Sequence, residues 1–387
     1  MRSPDLALAG AADRGFGAAF MAAAKRHRVL YAVALFTLAL ATAIGSRTGV
    51  YPDLHVLGEY GFYLLCALWI CGCAFAVFRI LWLGLVERSP SPTRALLGSF
   101  ARFLGDAARL ANTLHGFAAL MTFISGFSVL KGAIAVIRPF NWDLTLSEWD
   151  RALHFGLLPY EWLGWITEWP FAVFLVNVSY HFWFVILLGL VFSAIVTNRD
   201  TALRHRFLLS YMLLWLVGGF MIASGFSSAG PCYFAKLGLG EDYQPLMDAL
   251  VAANRVHPVW ALDVQDLLWD GYSGTGQASL GISAFPSLHV ATSVLMALYA
   301  GNRWRHAGPP LWAFAGLVMV GSVALGWHYA VDGYAGALIA VAVWKALGAV
   351  VTEPVDQAAG RSSALALSSM PNRSRGSSGS ASRSSSS

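Results

Sequence analysis

Two histidines in the last third of the sequence lie in motifs that could support nucleophilic or acid–base chemistry. His289 ends the run A-F-P-S-L-H, in which Pro286 and Ser287 are typical of the start of a helix. Free backbone N–H groups at such a start bind anions. His328 is followed four residues later by Asp332, and a carboxylate at that spacing can fix the tautomer of an imidazole. These residues indicate a site for an anionic group.

A pair of cations precedes a proline in the middle of the chain. Lys131 and Arg138 are seven residues apart, so a helix would place them on one face, about 10 Å apart, before Pro139 ends it. An alternative is that both side chains belong to a membrane-spanning helix and extend to the membrane surface. This would explain Arg138, but it explains Lys131 poorly because six apolar residues separate this lysine from Arg138 at the end of the helix. The alternative for the segment that ends at His289 is plain helix capping, and the alternative for His328 and Asp332 is a structural ion pair.

Taken together, these residues predict phosphoryl transfer. One histidine would attack phosphorus, the other would protonate the departing oxygen, and the cations would hold the remaining oxygens. No carboxylate cluster resembles a magnesium site, and no spacing of cysteine and histidine is typical of zinc. We therefore expect neither a metal nor another cofactor.

The composition indicates the setting of these motifs. Of the 387 residues, 57% are hydrophobic and 12% are charged, and the mean hydropathy is +0.58. These values exclude a disordered chain, a collagen, a disulfide-rich secreted domain and an ordinary cytosolic enzyme. They predict an all-α, polytopic membrane helix bundle with about eight transmembrane helices, at 29–46, 60–86, 113–137, 171–196, 207–229, 285–301, 311–328 and 333–351.

The distribution of positive charge supports one orientation of this bundle. With both termini in the cytoplasm, all but six of the 26 lysines and arginines lie on the cytoplasmic side. All three polar motifs then face the outer leaflet. We expect a multi-pass protein of the cell (inner) membrane with its active site at the outer or periplasmic leaflet. The basic residues left on that side are Arg47, Lys131, Arg138, Arg151, Lys236 and Arg255.

The predicted organisation has four parts. Residues 1–28 form a cytoplasmic segment, and 29–112 hold two extra transmembrane helices followed by a cytoplasmic amphipathic segment. Residues 113–351 form the six-helix core. The Ser-rich residues 352–387 are expected to be a disordered cytoplasmic tail.

The outer side of the predicted bundle supplies weaker candidates for a head-group pocket. Residues 138–170 are rich in Trp and predict short helices lying in the membrane interface. Within them, Asp143 and Asp150 could contact a polyol, although solvated acids are the favoured interpretation. Ser228 and Tyr233 could line the pocket or its rim, with packing as the alternative for the serine.

The three motifs, in the order K-x-x-x-x-x-x-R-P, P-S-x-H and H-x-x-x-D, resemble the signature of the type 2 phosphatidic acid phosphatase superfamily. The resemblance covers roughly 113–351. The segment ending at His289 has Leu288 where the phosphatases usually have Gly. This leucine and the H-Y-x-x-D run starting at His328 are similar to the subgroup that contains fungal inositol phosphorylceramide synthases.

The resemblance implies a role for each motif residue. His328 would be the nucleophile that forms a phosphohistidine, Asp332 would orient it, and His289 would be the general acid and later the base. The phosphate oxygens would be held by Lys131, Arg138 and Ser287.

The phosphatase form of the third motif has Ser-Arg where this chain has Gly321 and Ser322, so one phosphate-binding cation is missing. This departure favours a phosphodiester over a phosphomonoester, which carries more negative charge.

The resemblance therefore predicts an enzyme that moves a phosphate or phospho-head group between lipids. Its partners would be a lipid phosphate or phosphodiester, an alcohol acceptor or water, and the bilayer, with no nucleic acid. The nearest alternative is a lipid phosphate phosphatase with water as acceptor. A phospholipid transporter or scramblase is a further alternative, but translocation does not need a nucleophile.

Overall fold

The computed structural model describes residues 4–50, 54–197, 201–274 and 281–351, which form helices and connecting segments without a β-strand. This confirms the predicted all-α class. The described residues up to Val351 form one compact unit. The predicted Ser-rich tail, 352–387, lies outside the described residues.

The first helices form a layer in which α1 and α2 pack along α5. The contact of α2 with α5 is close at Gly126, where a Cβ atom would lie 2.9 Å from the Cα atom of Leu38. The predicted amphipathic segment is α4, which ends before Asp106 caps the next helix. The helices of this part are α1 (Pro4–Arg26), α2 (Arg28–Thr48), α3 (Leu54–Leu85), α4 (Pro92–Gly105) and α5 (Ala107–Ile137).

The first outer loop contains the short helices that its tryptophans predict. They are α6 (Asp143–Leu153), a 3₁₀ turn (Glu161–Leu163) and α7 (Gly164–Thr167). Trp162, Trp165 and Trp169 are exposed, as expected for side chains at a membrane interface. The buried face of α6 carries acidic side chains, which the favoured interpretation of solvated acids did not anticipate.

The remaining helices build the part of the bundle that carries both histidine motifs. Helix α13 packs against α14, α15 and α8. A π-helical stretch, Leu214–Ile222, joins α9 to α10. The helices are α8 (Pro170–Val196), α9 (Thr201–Leu213), α10 (Ala223–Gly225), α11 (Gln244–Asn254), α12 (Trp260–Ser273), α13 (Leu288–Arg303), α14 (Gly308–Ala324) and α15 (Ala330–Val350).

Several helices are long and apolar enough to cross a membrane, which suggests an integral membrane protein. Among the described residues five helices meet this condition, and they correspond to five of the eight predicted spans. The other three predicted spans overlap α3, α13 and α14, and among the described residues two of them contain shorter apolar helices, Ala76–Leu85 in α3 and Gly308–Ala324 in α14. The five are Arg28–Thr48, Ala107–Ile137, Pro170–Val196, Ala202–Gly225 and Ala330–Val350.

Candidate active site

A cavity of about 220 Å³ brings parts of all three predicted motifs together. Lys131 lines it from α5, His289 from the first turn of α13, and His328 from the segment before α15. The rest of the wall is mostly apolar, so the cavity combines a few polar groups with a hydrophobic lining. The other lining residues are Trp183, Trp215, Gly219, Ala229, Tyr233, Leu268, Gly281, Ile282, Ser283, Ala284, Pro286, Leu288 and Trp327.

His328 and Asp332 are hydrogen-bonded, as their spacing predicts, but they do not share a helix. His328 precedes α15, and Asp332 lies in the first turn of that helix. The Nδ1 atom of His328 is 3.3 Å from Oδ2 of Asp332, which also accepts the backbone N–H of Tyr329 at 3.0 Å. This contact holds the ring of His328 through its Nδ1 atom.

His289 is held in an aromatic cage beside His328. Its ring lies 4.6 Å from the ring of Tyr180 and 4.3 Å from that of Trp183, measured between centroids. The Trp183 indole donates a hydrogen bond to Thr292, one turn along α13. The centroids of the two histidine rings are 5.9 Å apart, so both rings can reach one group bound in the cavity.

The two predicted cations do not lie on one helical face. Lys131 is inside α5, and its Nζ atom is 3.4 Å from the carbonyl oxygen of Ser283 at the cavity. Arg138 follows the last residue of α5 in an extended conformation and donates to the carbonyl of Gly225. The cause is Pro139, because a residue before proline is pushed out of the helical region. Arg138 is not among the lining residues.

Ser287 caps α13 and does not line the cavity. Its hydroxyl oxygen accepts the N–H of Val290, and its own N–H donates to the backbone carbonyl of Asp332 at 2.9 Å. The predicted helix start is therefore confirmed. The hydroxyl is committed to helix capping in this structure, and the backbone of Ser287 links the two histidine motifs.

The three predicted head-group residues lie in different surroundings. Tyr233 lines the cavity, but its hydroxyl donates to the carbonyl of Gln265. The Ser228 hydroxyl accepts the N–H of Phe285. Asp143 is 1% exposed, away from the cavity lining, and accepts three hydrogen bonds from other parts of the chain.

Sequence reasoning gave no role to the three tryptophans of the cavity wall, of which Trp183 packs against His289. Trp215 lies in the π-helical stretch, and Trp327 immediately precedes His328. The indole N–H groups of both are buried, and within the described ranges they have no hydrogen-bond partner. The position of Trp327 next to His328 is a signal in the sequence. Trp215 has no such signal, because no sequence pattern predicts the π-helical stretch that contains it.

The fold and the cavity define a helical membrane protein with two histidines at one candidate catalytic site. A family model described as the PAP2 superfamily matches residues 144–346, more than half of the 387 residues, and the chain belongs to this superfamily. Membership suggests a lipid phosphatase or phosphotransferase. The match includes both histidine motifs and starts after Arg138. No curated protein and no solved structure matches the chain in the corresponding comparisons.

Proposed function

We propose that the protein transfers a phosphate or phospho-head group between lipid-linked substrates through a phosphohistidine on His328. The observation that carries the proposal is the pairing of His289 with the His328–Asp332 unit on one cavity, together with Lys131. A phospholipid head group would enter the polar part of this cavity, and its apolar portion would contact the tryptophan-rich wall. Transfer to an inositol- or ceramide-type acceptor is the finer proposal, and it rests on the sequence resemblance.

In the first step, Nε2 of His328 attacks phosphorus and the bond to the leaving oxygen breaks. The Nδ1 proton stays on the ring, hydrogen-bonded to Asp332, whose charge stabilises the cationic ring. His289 donates a proton to the departing oxygen. In the second step His289 takes a proton from the acceptor alcohol or water, whose oxygen displaces His328 from phosphorus. Lys131 is positioned to offset the negative charge on the non-bridging oxygens.

The charge of the cavity favours a phosphodiester substrate. Lys131 is the single lysine or arginine among the described lining residues. Ser322, at the position of the missing cation, is fully buried and donates its hydroxyl proton to the carbonyl of Met319. A phosphodiester carries one negative charge and a phosphomonoester carries nearly two at neutral pH, so one ammonium group matches the diester better.

The expected result is a kcat/KM at least about tenfold higher on a diester lipid than on the matched phosphatidic acid, since the second charge of the monoester lacks a charge-assisted contact, which contributes about 1.5–3 kcal/mol. The measurement uses labelled lipids of identical acyl chains, with and without inositol or ceramide as acceptor.

Removal of the ammonium group in Lys131→Met should lower kcat/KM on the diester about ten- to hundred-fold. The control is Lys236→Met, whose ammonium pairs with Asp266 outside the cavity.

Strong preference for phosphatidic acid, with water as the sole acceptor, would favour the lipid phosphatase. Equal kcat/KM for Lys131→Met and Lys236→Met would remove Lys131 from the proposed phosphate site.

We also propose that the cavity opens toward the outer leaflet, because the excess of positive charge is on the opposite side. A cysteine placed at the exposed Glu241 should then react with a membrane-impermeant maleimide in intact cells. For this experiment the exposed Cys73 is first replaced by serine, so that it does not react with the maleimide. Labelling that required permeabilised cells would reverse the topology and move the active site to the cytoplasmic leaflet.

A further inference from the structure

Helix α6 directs two acidic side chains into the protein next to the candidate active site. Asp143 and Asp150 are seven residues apart, so they lie two turns apart on one face of the helix. Both are 1% exposed. A buried carboxylate is costly unless several donors satisfy it, so the partners of these two acids indicate what α6 holds in place.

Asp150 binds the start of α15. One carboxylate oxygen accepts the N–H of Ala330 at 2.8 Å, and the other accepts the N–H of Val331 at 2.9 Å. These are the first two N–H groups of the helix, which have no partner inside it. The next residue is Asp332, whose carboxylate meets the ring of His328. The contact joins residues 180 positions apart in the sequence.

Asp143 holds a neighbouring turn and the residue that follows His328. Its carboxylate accepts the N–H groups of Ala229 and Gly230 and the hydroxyl of Tyr329, the residue after His328. The turn at Gly230 has a φ of 107° and passes so close to Trp327 that a Cβ atom would lie 2.7 Å from its carbonyl oxygen. Asp143 therefore fixes the approach of this turn to the histidine segment.

We infer that Asp150 is a positioning residue of the proposed phosphoryl-transfer site: by holding the first N–H groups of α15, it sets the position of Asp332 relative to His328. The inference rests on the proposed function. Asp143 supports the same segment from the other end of α6, through Tyr329. Neither acid lines the cavity, so the effect of each on the reaction passes through His328.

The protonation of Asp150 gives this role a pH dependence. Burial raises the pKa of Asp150 to about 6, although its two amide donors act in the opposite direction. The titratable groups around it are His154 directly after α6, Tyr243, and Asp332 and Tyr334 on α15. A protonated carboxyl group has lost the negative charge that favours a helix N-terminus. We therefore expect kcat to fall below about pH 6.

The sign of the effect on stability is different. Because the pKa of Asp150 is higher in the folded protein than its ordinary value of 3.8, the folded state binds this proton more tightly than the unfolded state does. Between pH 6 and pH 4 this group therefore does not promote unfolding. Loss of kcat without a parallel loss of Tm separates positioning from a purely structural role.

The experiment compares Asp150→Asn with wild type, His328→Ala and Glu148→Gln. Glu148 is an exposed acid on the same helix and serves as the matched control. Asp150→Asn should lower kcat about ten- to hundred-fold with KM changed less than about threefold, since geometry and not substrate contact is altered. Its kcat should no longer fall below about pH 6. Hydrogen–deuterium exchange should be faster at Ala330 and Val331, with Glu148→Gln like wild type.

Wild-type kcat in Asp150→Asn, or unchanged exchange at the two amides, would overturn the inference. So would a kcat loss that keeps the wild-type pH profile and follows Tm. When His328→Ala is inactive and Asp150→Asn is like wild type, only the inference fails. Equal activity of wild type and His328→Ala would overturn the proposed function and this inference with it.

Discussion

His328→Ala is expected to lower turnover by at least about a thousand-fold and to abolish any covalent phosphoenzyme. The substitution removes the nitrogen that we propose as nucleophile. The cavity that it leaves still contains Lys131 and His289. A residual activity from binding and charge stabilisation is therefore expected, but no phosphorylated intermediate.

The measurement is the incorporation of label from a phospholipid carrying ³²P, followed by treatment of the labelled protein with acid or with base. A phosphohistidine is lost in acid and kept in base. His257→Ala is the control, since this histidine packs against Phe171 and Phe174 away from the cavity. Near-normal turnover of His328→Ala, or incorporation of base-stable label into it, would show that another group is the nucleophile.

The local geometry of the two histidine motifs was predictable because each depends on short sequence spacings. Pro286 and Ser287 do begin a helix, and four residues do bring Asp332 to the ring of His328. The two residues nevertheless do not share a helix. Here the helix begins after the histidine, and the carboxylate reaches back from its first turn.

The positions of Arg138 and Ser287 show where spacing is insufficient. A seven-residue spacing predicts one helical face only if the helix continues through both residues, and Pro139 ended it at Ile137. The Ser287 hydroxyl was available either to a ligand or to the backbone of its own helix, and in the structure it accepts the N–H of Val290. Their proposed phosphate contacts stay predictions.

Long-range capping was outside the reach of the sequence. Asp150 satisfies N–H groups of a helix that begins 180 residues later, and no periodicity within residues 138–170 indicates that partner. The acidic residues of an interfacial loop are usually solvated, which favoured the opposite interpretation. Only the fold shows that α6 turns these carboxylates inward, against the backbone of the proposed nucleophile's segment.

His289→Ala should lower kcat about a hundred- to ten-thousand-fold on a phospholipid, whose leaving oxygen is a poor leaving group that needs a proton. With a p-nitrophenyl phosphodiester the first step needs no proton, so formation of the phosphoenzyme should fall less than about tenfold. The second step still lacks a base for the acceptor. The variant should therefore release p-nitrophenol in a burst and then accumulate the phosphoenzyme.

Stopped-flow absorbance gives the size of the burst, and labelled diester gives the trapped phosphoenzyme. His181→Ala is the matched control, because His181 lies beside Tyr180 on α8 but packs against Trp260. His289 is caged by Tyr180 and Trp183 and its ring centroid is 5.9 Å from that of His328, so removal of its ring leaves the proposed nucleophile in place. Equal losses on both leaving groups, without a burst, would mean that His289 only shapes the cavity and transfers no proton.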